Sequence, residues 1–332
     1  MKNEKKTISV VMCTYNGEKY IGQQLDSILQ QTHAADEIIV QDDRSTDRTY
    51  EILQEYQHRY SHIHVYQNAE NKGINHNFFT AFQRATGQYI AISDQDDIWE
   101  PHKLEVQIAA IGDQLMCGSR STPFAEGETC VQPDMRPVNY SLLRQLFVGT
   151  IAGHTLLFSK ELLHLLPDLT DIGQYRYYDV ILTMAASALG SLCYVDSSLV
   201  RQRRHAHAAT YSSPSSSAMN LKNIMHSLSR TWHTHCRLRH KIVQIEKSTL
   251  SFLQGISSHE KIHRDAILML QLYTQPSFWH FLRLQWFCVT HYRHLFHSTP
   301  NLPIGVLRAL YFPISLSDYF RFLSDDETPK LN

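Results

Sequence analysis

The chain has 332 residues, 43% of them hydrophobic, and carries 31 Lys+Arg against 32 Asp+Glu, so it can bury a full core and is not an intrinsically disordered sequence. No run of five or more Lys/Arg occurs, which argues against a nucleic-acid partner. The near-zero net charge is unevenly spread: residues 1–100 hold nine Lys+Arg and fifteen Asp+Glu, whereas residues 222–297 hold ten and three.

The first residues are polar and lead into a strand-like run, without the apolar segment of a signal peptide. No stretch of 18 uncharged apolar residues follows, so a spanning helix is not expected. The six cysteines are scattered with no C-x-x-C pair, which suggests neither a zinc site nor a disulfide framework and fits a cytoplasmic setting.

The run from Ile8 to Cys13 is β-branched and apolar and predicts a strand buried on both faces. Ile21, Leu25, Ile28 and Leu29 then form one apolar stripe, which predicts a helix over 19–31. The alternation repeats with strands at 38–40, 62–67 and 89–92 and helices carrying Leu53 and Tyr56, spanning about 75–85, and beginning at Pro101. Four such units within about 110 residues predict a twisted, mostly parallel sheet. Residues 113–138, with Pro123, Pro133 and Pro137, read as an irregular excursion. Beyond it the pattern predicts a strand over 149–158, a helix over 179–189 and a strand over 192–195. A serine-rich loop at 212–217 separates this region from a chain that reads as helical from Met219 onward.

In open parallel sheets, ligands bind outside the carboxyl ends of the strands. Three polar clusters sit there: Thr14-Tyr15-Asn16 after the first strand, Asp42-Asp43 after the second, and Asp94-Gln95-Asp96-Asp97 after the fourth. Three carboxylates within four residues repel one another unless a cation neutralises them, and oxygen ligands favour a hard ion, Mn2+ or Mg2+. A solvated helix N-terminus is the commoner fate of an isolated acidic triplet. Its place after a buried strand, on the same rim as Asp42 and Asp43, favours the metal.

The strings from Thr14 to Tyr20, Gln24 to Ile28, Asp42 to Asp47 and Ser93 to Trp99 resemble glycosyltransferase family 2, especially its rhamnosyltransferase-like bacterial members, over about residues 7–205. The resemblance implies a GT-A type fold, mostly parallel sheet flanked by helices, and an inverting transfer from a nucleotide sugar. It divides the chain into a glycosyltransferase domain at 1–211, with a nucleotide-sugar half at 1–112 and an acceptor half at 113–211, and a helical region at 212–332. By position, Thr14, Tyr15, Asn16, Asp42 and Asp43 would hold the nucleoside, with Asp42 bonding the base. Asp94 and Asp96 match the family's D-x-D carboxylates and, with His205, would hold the metal, while Asp97 lies near the diphosphate. Lys72 and Asn77 would line the donor pocket, with turn and helix-cap duty as the alternative. Trp99 would wall the sugar pocket or else sit in the core. Arg203 and Arg204 would meet the leaving diphosphate, whose negative charge grows as the glycosidic bond breaks. Asp179, after Gly153-His154-Thr155, matches the family's catalytic base or, failing that, is a helix N-cap. The tryptophans that often follow this Asp in the family are replaced by Val180 and Ile181.

The expected partners are a UDP- or dTDP-sugar donor and a saccharide or lipid-linked hydroxyl acceptor of cell-surface polysaccharide synthesis. Residues 276–314 are aromatic and hold three arginines and no acidic residue, which fits either contact with the inner face of a membrane or core packing. The rival functions are a sugar-nucleotide pyrophosphorylase, for which the Gly-rich phosphate loop is missing, and an inactive carbohydrate-binding protein of the same fold. A dinucleotide oxidoreductase lacks its G-x-G-x-x-G.

Overall fold

A computed structural model describes residues 6–125, 138–204, 221–296 and 302–320. Strands β1 (Ile8–Thr14), β2 (Glu37–Asp42), β3 (Ile63–Gln67) and β4 (Tyr89–Ser93) alternate with helices α1 (Ile21–Leu29), α2 (Thr49–Arg59) and α3 (Ile74–Arg84). They form a parallel half-sheet in the order β3-β2-β1-β4. Strands β5 (Ile98–Trp99), β6 (Met116–Ala125), β7 (Leu157–Ser159) and β8 (Leu192–Arg204) extend it as β7-β6-β8-β5 beyond β4. Only β6 and β8 are parallel in this second half, so the eight-stranded sheet is mixed.

Side chains of a strand alternate between faces, and β1 shows why both must be covered. Ile8, Val10 and Met12 pack with Ile21 and Leu25 of α1, Leu53 of α2 and Leu104 of α4 (Lys103–Ala110). Val11 and Ile39 pack on the other face with Phe78 and Phe82 of α3 and with Ile181 and Leu182 of α7 (Tyr178–Ala188), which follows the short α5 (Leu142–Gln145) and α6 (Glu161–His164). These side chains are at most 4% exposed, and burying each aliphatic one contributes about 1.5–3 kcal/mol.

The helices α8 (Leu221–Gly255), α9 (Lys261–Thr274), α10 (Phe278–Thr290), α11 (Tyr292–Leu295) and α12 (Leu302–Ser315) extend the α7 side. Leu238, Ile242 and Ile245 of α8 and Met269, Leu270 and Tyr273 of α9 belong to the same buried cluster as Ile181 and Leu182, so the core runs without a break into the helical region. Among the described residues no helix is long and apolar enough to cross a membrane.

Three expectations needed correction. The stretch expected to be irregular from 113 holds β6, paired with β8 from Met116↔Leu192 to Ala125↔Arg204; its prolines and small polar residues hid a strand whose pairing is set by its partner. The strand expected over 149–158 shrinks to β7, because Gly153–Thr155 turn as a 3-10 helix. The last strand runs to Arg204 rather than ending at Val195.

Candidate donor and metal site

The carboxyl ends of β1, β2 and β4 meet at one rim, as the register of β1 with its neighbours requires: Thr14 stands opposite Asp42, and Met12 opposite Ser93. Thr14 Oγ1 donates to Gln95 Oε1 at 2.6 Å, and the backbone N–H of Tyr15 donates to the same oxygen at 2.9 Å. Gln95 Nε2 returns a bond to Tyr15 O at 3.1 Å, which locks the β1 loop to the acidic loop after β4. Asn16 sits at φ 50°, a left-handed conformation that asparagine tolerates, and its Oδ1 accepts the N–H of Thr46 at 2.8 Å.

Asp42 and Asp43 are buried and build the rim. Asp42 accepts bonds from the Ser45 hydroxyl, Ser45 N at 3.1 Å and Gln67 Nε2 at 2.8 Å. Asp43 accepts from Asn68 Nδ2 at 2.6 Å and from the backbone N–H groups of Lys72 and Gly73 at 2.8 and 2.9 Å, which fixes the turn at the start of α3. Asn77 serves the same framework, donating to Gln41 O at 3.0 Å, while the Lys72 ammonium pairs with Glu70.

After β4 lies a cluster of titratable groups. Asp94, Asp97 and His154 each offer one ligand atom, all within 4.8 Å of one another. His154 Nδ1 is 3.3 Å from Asp94 Oδ2 and 3.5 Å from Asp97 Oδ2. Asp97 Oδ1 accepts the backbone N–H of Arg203 at 3.0 Å. Beyond the His154 ion pair, Asp97 Oδ2 has no hydrogen-bond partner, and neither has His154 Nε2. Burial pushes the Asp97 carboxyl well above the usual range. Burial works against charge on His154, but Asp97 and Asp94 outweigh it and raise the imidazole to about 9. Two carboxylates and an imidazole around a partly open position, one of them 40% exposed, form a donor set that fits a divalent cation such as Mn2+.

His154 was not singled out by sequence reasoning, since nothing in the string Gly153-His154-Thr155 separates it from the other 19 histidines. Its turn is held from below, where Gln107 Nε2 donates to Thr155 O at 2.7 Å and the buried Lys103 donates to Gln107 Oε1 at 2.7 Å. The turn needs glycine at 153, because an added Cβ would stand 2.5 Å from Tyr178 Oη and 3.1 Å from Asp179 Cβ.

Asp179 therefore comes close to the cluster from the first turn of α7. Its Oδ1 accepts the N–H of Val180 at 2.8 Å, and burial, seconded by Asp94, raises its carboxyl to about 6. Asp96 is not among the three clustered groups; its carbonyl accepts Arg203 Nε at 2.8 Å. Arg203 is 5% exposed and also reaches Gln23 Oε1 at 2.7 Å, so its guanidinium braces the acidic loop. Arg204, at the end of β8, is half-buried. Trp99 is 2% exposed among Leu104 and Ile108, with Lys103 Nζ 4.1 Å from its ring, and so belongs to the core rather than to a sugar pocket. His205 lies outside the described residues.

Residues 9–164 match the family model described as Glycosyl transferase family 2. TuaG of Bacillus subtilis, named for teichuronic acid biosynthesis, is 42% identical over 108 residues, 32% of this chain and 43% of that protein. UDP-Glc:alpha-D-GlcNAc-diphosphoundecaprenol beta-1,3-glucosyltransferase WfgD of Escherichia coli is 39% identical over 102 residues, 31% and 40% of the two chains. The chain thus spans less than half the length of these relatives. Similar folds occur in S. aureus TarS 1-349 in complex with UDP-GlcNAc, with a TM-score of 0.56, 14% identity and 98% and 99% of the two chains covered. The mannosyltransferase PcManGT of Pyrobaculum calidifontis, in complex with GDP-Man and Mn2+, gives 0.55, 18% identity and coverage of 98% and 89%. These two likenesses show the GT-A fold.

Proposed function

We propose that the chain, whose residues 9–164 match the model of glycosyltransferase family 2, transfers a sugar, with inversion, from a nucleoside-diphosphate donor to a hydroxyl acceptor. The observation that carries this reading is the meeting of Asp94, Asp97 and His154, with Asp179 packed against the Gly153–Thr155 turn that carries His154.

In this reading the nucleoside lies against Thr14, Tyr15 and Asn16, whose loop is clamped by Gln95 and supported by Asp42 and Asp43. Asp94, Asp97 and His154 would hold Mn2+ or Mg2+, and the motif assigns Asp96 and, outside the described residues, His205 to the same role. When bound, the ion neutralises the diphosphate. Asp179 accepts the proton of the acceptor hydroxyl as its oxygen bonds to the anomeric carbon and the bond from that carbon to the diphosphate oxygen breaks. A carboxylate raised to about 6 is well matched to this at neutral pH, because it is mostly ionised yet more basic than an exposed aspartate. Arg204 would add charge toward the leaving group, and Lys72 toward the donor rim.

The relatives' names support a role in cell-surface polysaccharide synthesis with a saccharide or lipid-linked acceptor. For a lipid-linked acceptor the helical region offers a surface: Phe278, Trp279 and Trp286 of α10 are 68%, 72% and 71% exposed, and Leu302 and Leu307 of α12 are 62% and 67% exposed. Arg283 and Arg308 flank these side chains, so the face suits the boundary of an anionic bilayer. Assay of sugar transfer and donor hydrolysis with a panel of UDP-, dTDP- and GDP-sugars, with and without Mn2+, tests the reaction. A binding protein of this fold would release no nucleoside diphosphate under any condition, and a pyrophosphorylase would release a nucleoside triphosphate from the donor and pyrophosphate.

A further inference from the structure

Cys117 of β6 and Cys193 of β8 stand opposite each other in a parallel ladder, with Leu157 of β7 on the other side of Cys117. Residues directly opposite in adjacent strands point to the same face of a sheet. Cys117 accordingly lies in the buried cluster that holds Val10 and Leu104, and Cys193 packs against it. Cys117 is buried and Cys193 partly exposed, so a small reagent meets Cys193 first. A hydrogen bond with Cys117 holds the Cys193 thiol below its usual range, which favours the reactive thiolate.

A strand spacing of about 4.8 Å puts the two Cα atoms within the span of about 4.4–6.8 Å that a disulfide bridges. The Cβ atoms must close to about 3.8 Å, and β8 has room to do so. Among the described residues it pairs only with β6 at Cys193, because β5 joins it at Val200 and Arg201. The β6–β8 register also shifts between Ser119 and Ser121, which adds slack just beyond the pair.

The geometry points to Cys193 and Cys117 as a disulfide-forming pair that a small disulfide oxidises. The Cys193 thiolate attacks one sulfur of the reagent, making a mixed disulfide and releasing the other half as a thiol that carries the Cys193 proton. Cys117 then attacks the Cys193 sulfur, and the second half leaves with the Cys117 proton. Lys103, buried beside Cys117 and held down at about 7 by burial, can relay that proton. Two protein thiols and one small disulfide thus become one protein disulfide and two small thiols. Closure reaches the candidate metal site through Gln107, whose Nε2 donates to Cys117 O at 3.2 Å and to Thr155 O at 2.7 Å. Drawing β6 toward β8 therefore pulls on the turn that carries His154. The pair forms whether or not the chain is a transferase.

In the test, the full chain is reduced, equilibrated with oxidised glutathione, alkylated, digested without reduction and mapped by mass spectrometry. Cys117 and Cys193 should be recovered in linked peptides that dithiothreitol separates, whereas Cys117→Ala should retain a glutathione adduct on Cys193. In the oxidised protein, hydrogen exchange at the Thr155 and Leu156 amides, which bond to Ala152 O and Gly153 O, should quicken by about threefold or more, the worth of one weakened hydrogen bond. Cys193 left as a free thiol, or carrying glutathione in wild-type protein without linkage to Cys117, overturns the pair. Linkage with unchanged exchange at those amides overturns its reach to the metal site.

Discussion

The Nδ1 atom of His154 stands 3.3 Å from Oδ2 of Asp94, bringing together a turn before β7 and the loop after β4. If this pair helps to hold the ion, His154→Ala should weaken Mn2+ binding by about tenfold or more, the lower bound set by losses of supporting groups around metal sites. Titration of Mn2+ followed by electron paramagnetic resonance measures this directly. Unchanged Mn2+ affinity would remove His154 from the site.

The acidic loop is held in place by Gln95, and Gly17 makes room for it: an added Cβ at 17 would lie 2.4 Å from Gln95 Oε1. Gly17→Ala should therefore displace the Gln95 side chain, cost about 1–3 kcal/mol in urea unfolding, and loosen nucleotide binding. Gln95→Ala combined with Gly17→Ala should recover part of the stability, because the clash is gone. A double variant no more stable than Gly17→Ala alone would show that the contact is not the cause.

Asp179→Asn keeps the shape of the site and removes the base. Transfer should fall by about 10²–10⁴-fold, the usual worth of a positioned base, while nucleotide affinity stays unchanged. In wild-type protein the base works only when ionised, and burial raises its carboxyl from 3.8 to about 6. The transfer rate should accordingly drop as pH falls through about 6, rather than near 4. A rate that is flat down to pH 4.5 contradicts the assignment.

Arg176, in the segment leading to Asp179, pairs with Glu246 of α8 at 2.8 Å, and the Glu246 side chain is fully buried. Glu246→Ala leaves a buried guanidinium without its counter-ion and should cost about 3–5 kcal/mol. Burial raises the Glu246 carboxyl from 4.5 to about 7 despite Arg176, so the folded state holds this proton more tightly than the unfolded chain. The sign follows: the contribution is fully present below about 4.5 and is lost as pH rises through 7. Chemical unfolding should show wild-type protein losing stability relative to Glu246→Gln between pH 5 and pH 7.5; parallel curves would contradict the shift.

Trp279 and Trp286 are each more than two-thirds exposed on α10. Changing both to Ser should reduce sedimentation with vesicles containing anionic lipid, leave nucleotide binding intact, and have little effect with purely zwitterionic vesicles. Salt should weaken the wild-type interaction, since screening shortens the reach of Arg283 and Arg308. Sedimentation unchanged by the double substitution would move membrane contact away from this face.

The first half of the fold was legible because β1, β2 and β4 carry short apolar runs buried on both faces, and the partly buried edge strand β3 shares their alternation with turn residues and helices. The second half was not, since β6 contains Gly118, Pro123 and several small polar residues and exists by pairing with β8 over ten positions. At the site, Asp94 and Asp97 announced themselves as carboxylates after a buried strand. Asp42, expected to bond a base, also accepts bonds from Ser45 and Gln67, contacts that depend on loop conformations no local pattern encodes. His154 was invisible for a related reason: its carboxylate neighbours lie about 60 residues earlier in the chain and meet it only through the sheet.

The most direct test of the central claim is calorimetric titration of UDP, dTDP and GDP into the protein with and without Mn2+, repeated on Asp94→Asn. One nucleoside diphosphate should bind wild-type protein, bind substantially tighter with Mn2+, and lose that enhancement in the variant. Binding that ignores both the ion and the substitution, or no binding of any of the three, would contradict a metal-bridged diphosphate held at Asp94, Asp97 and His154.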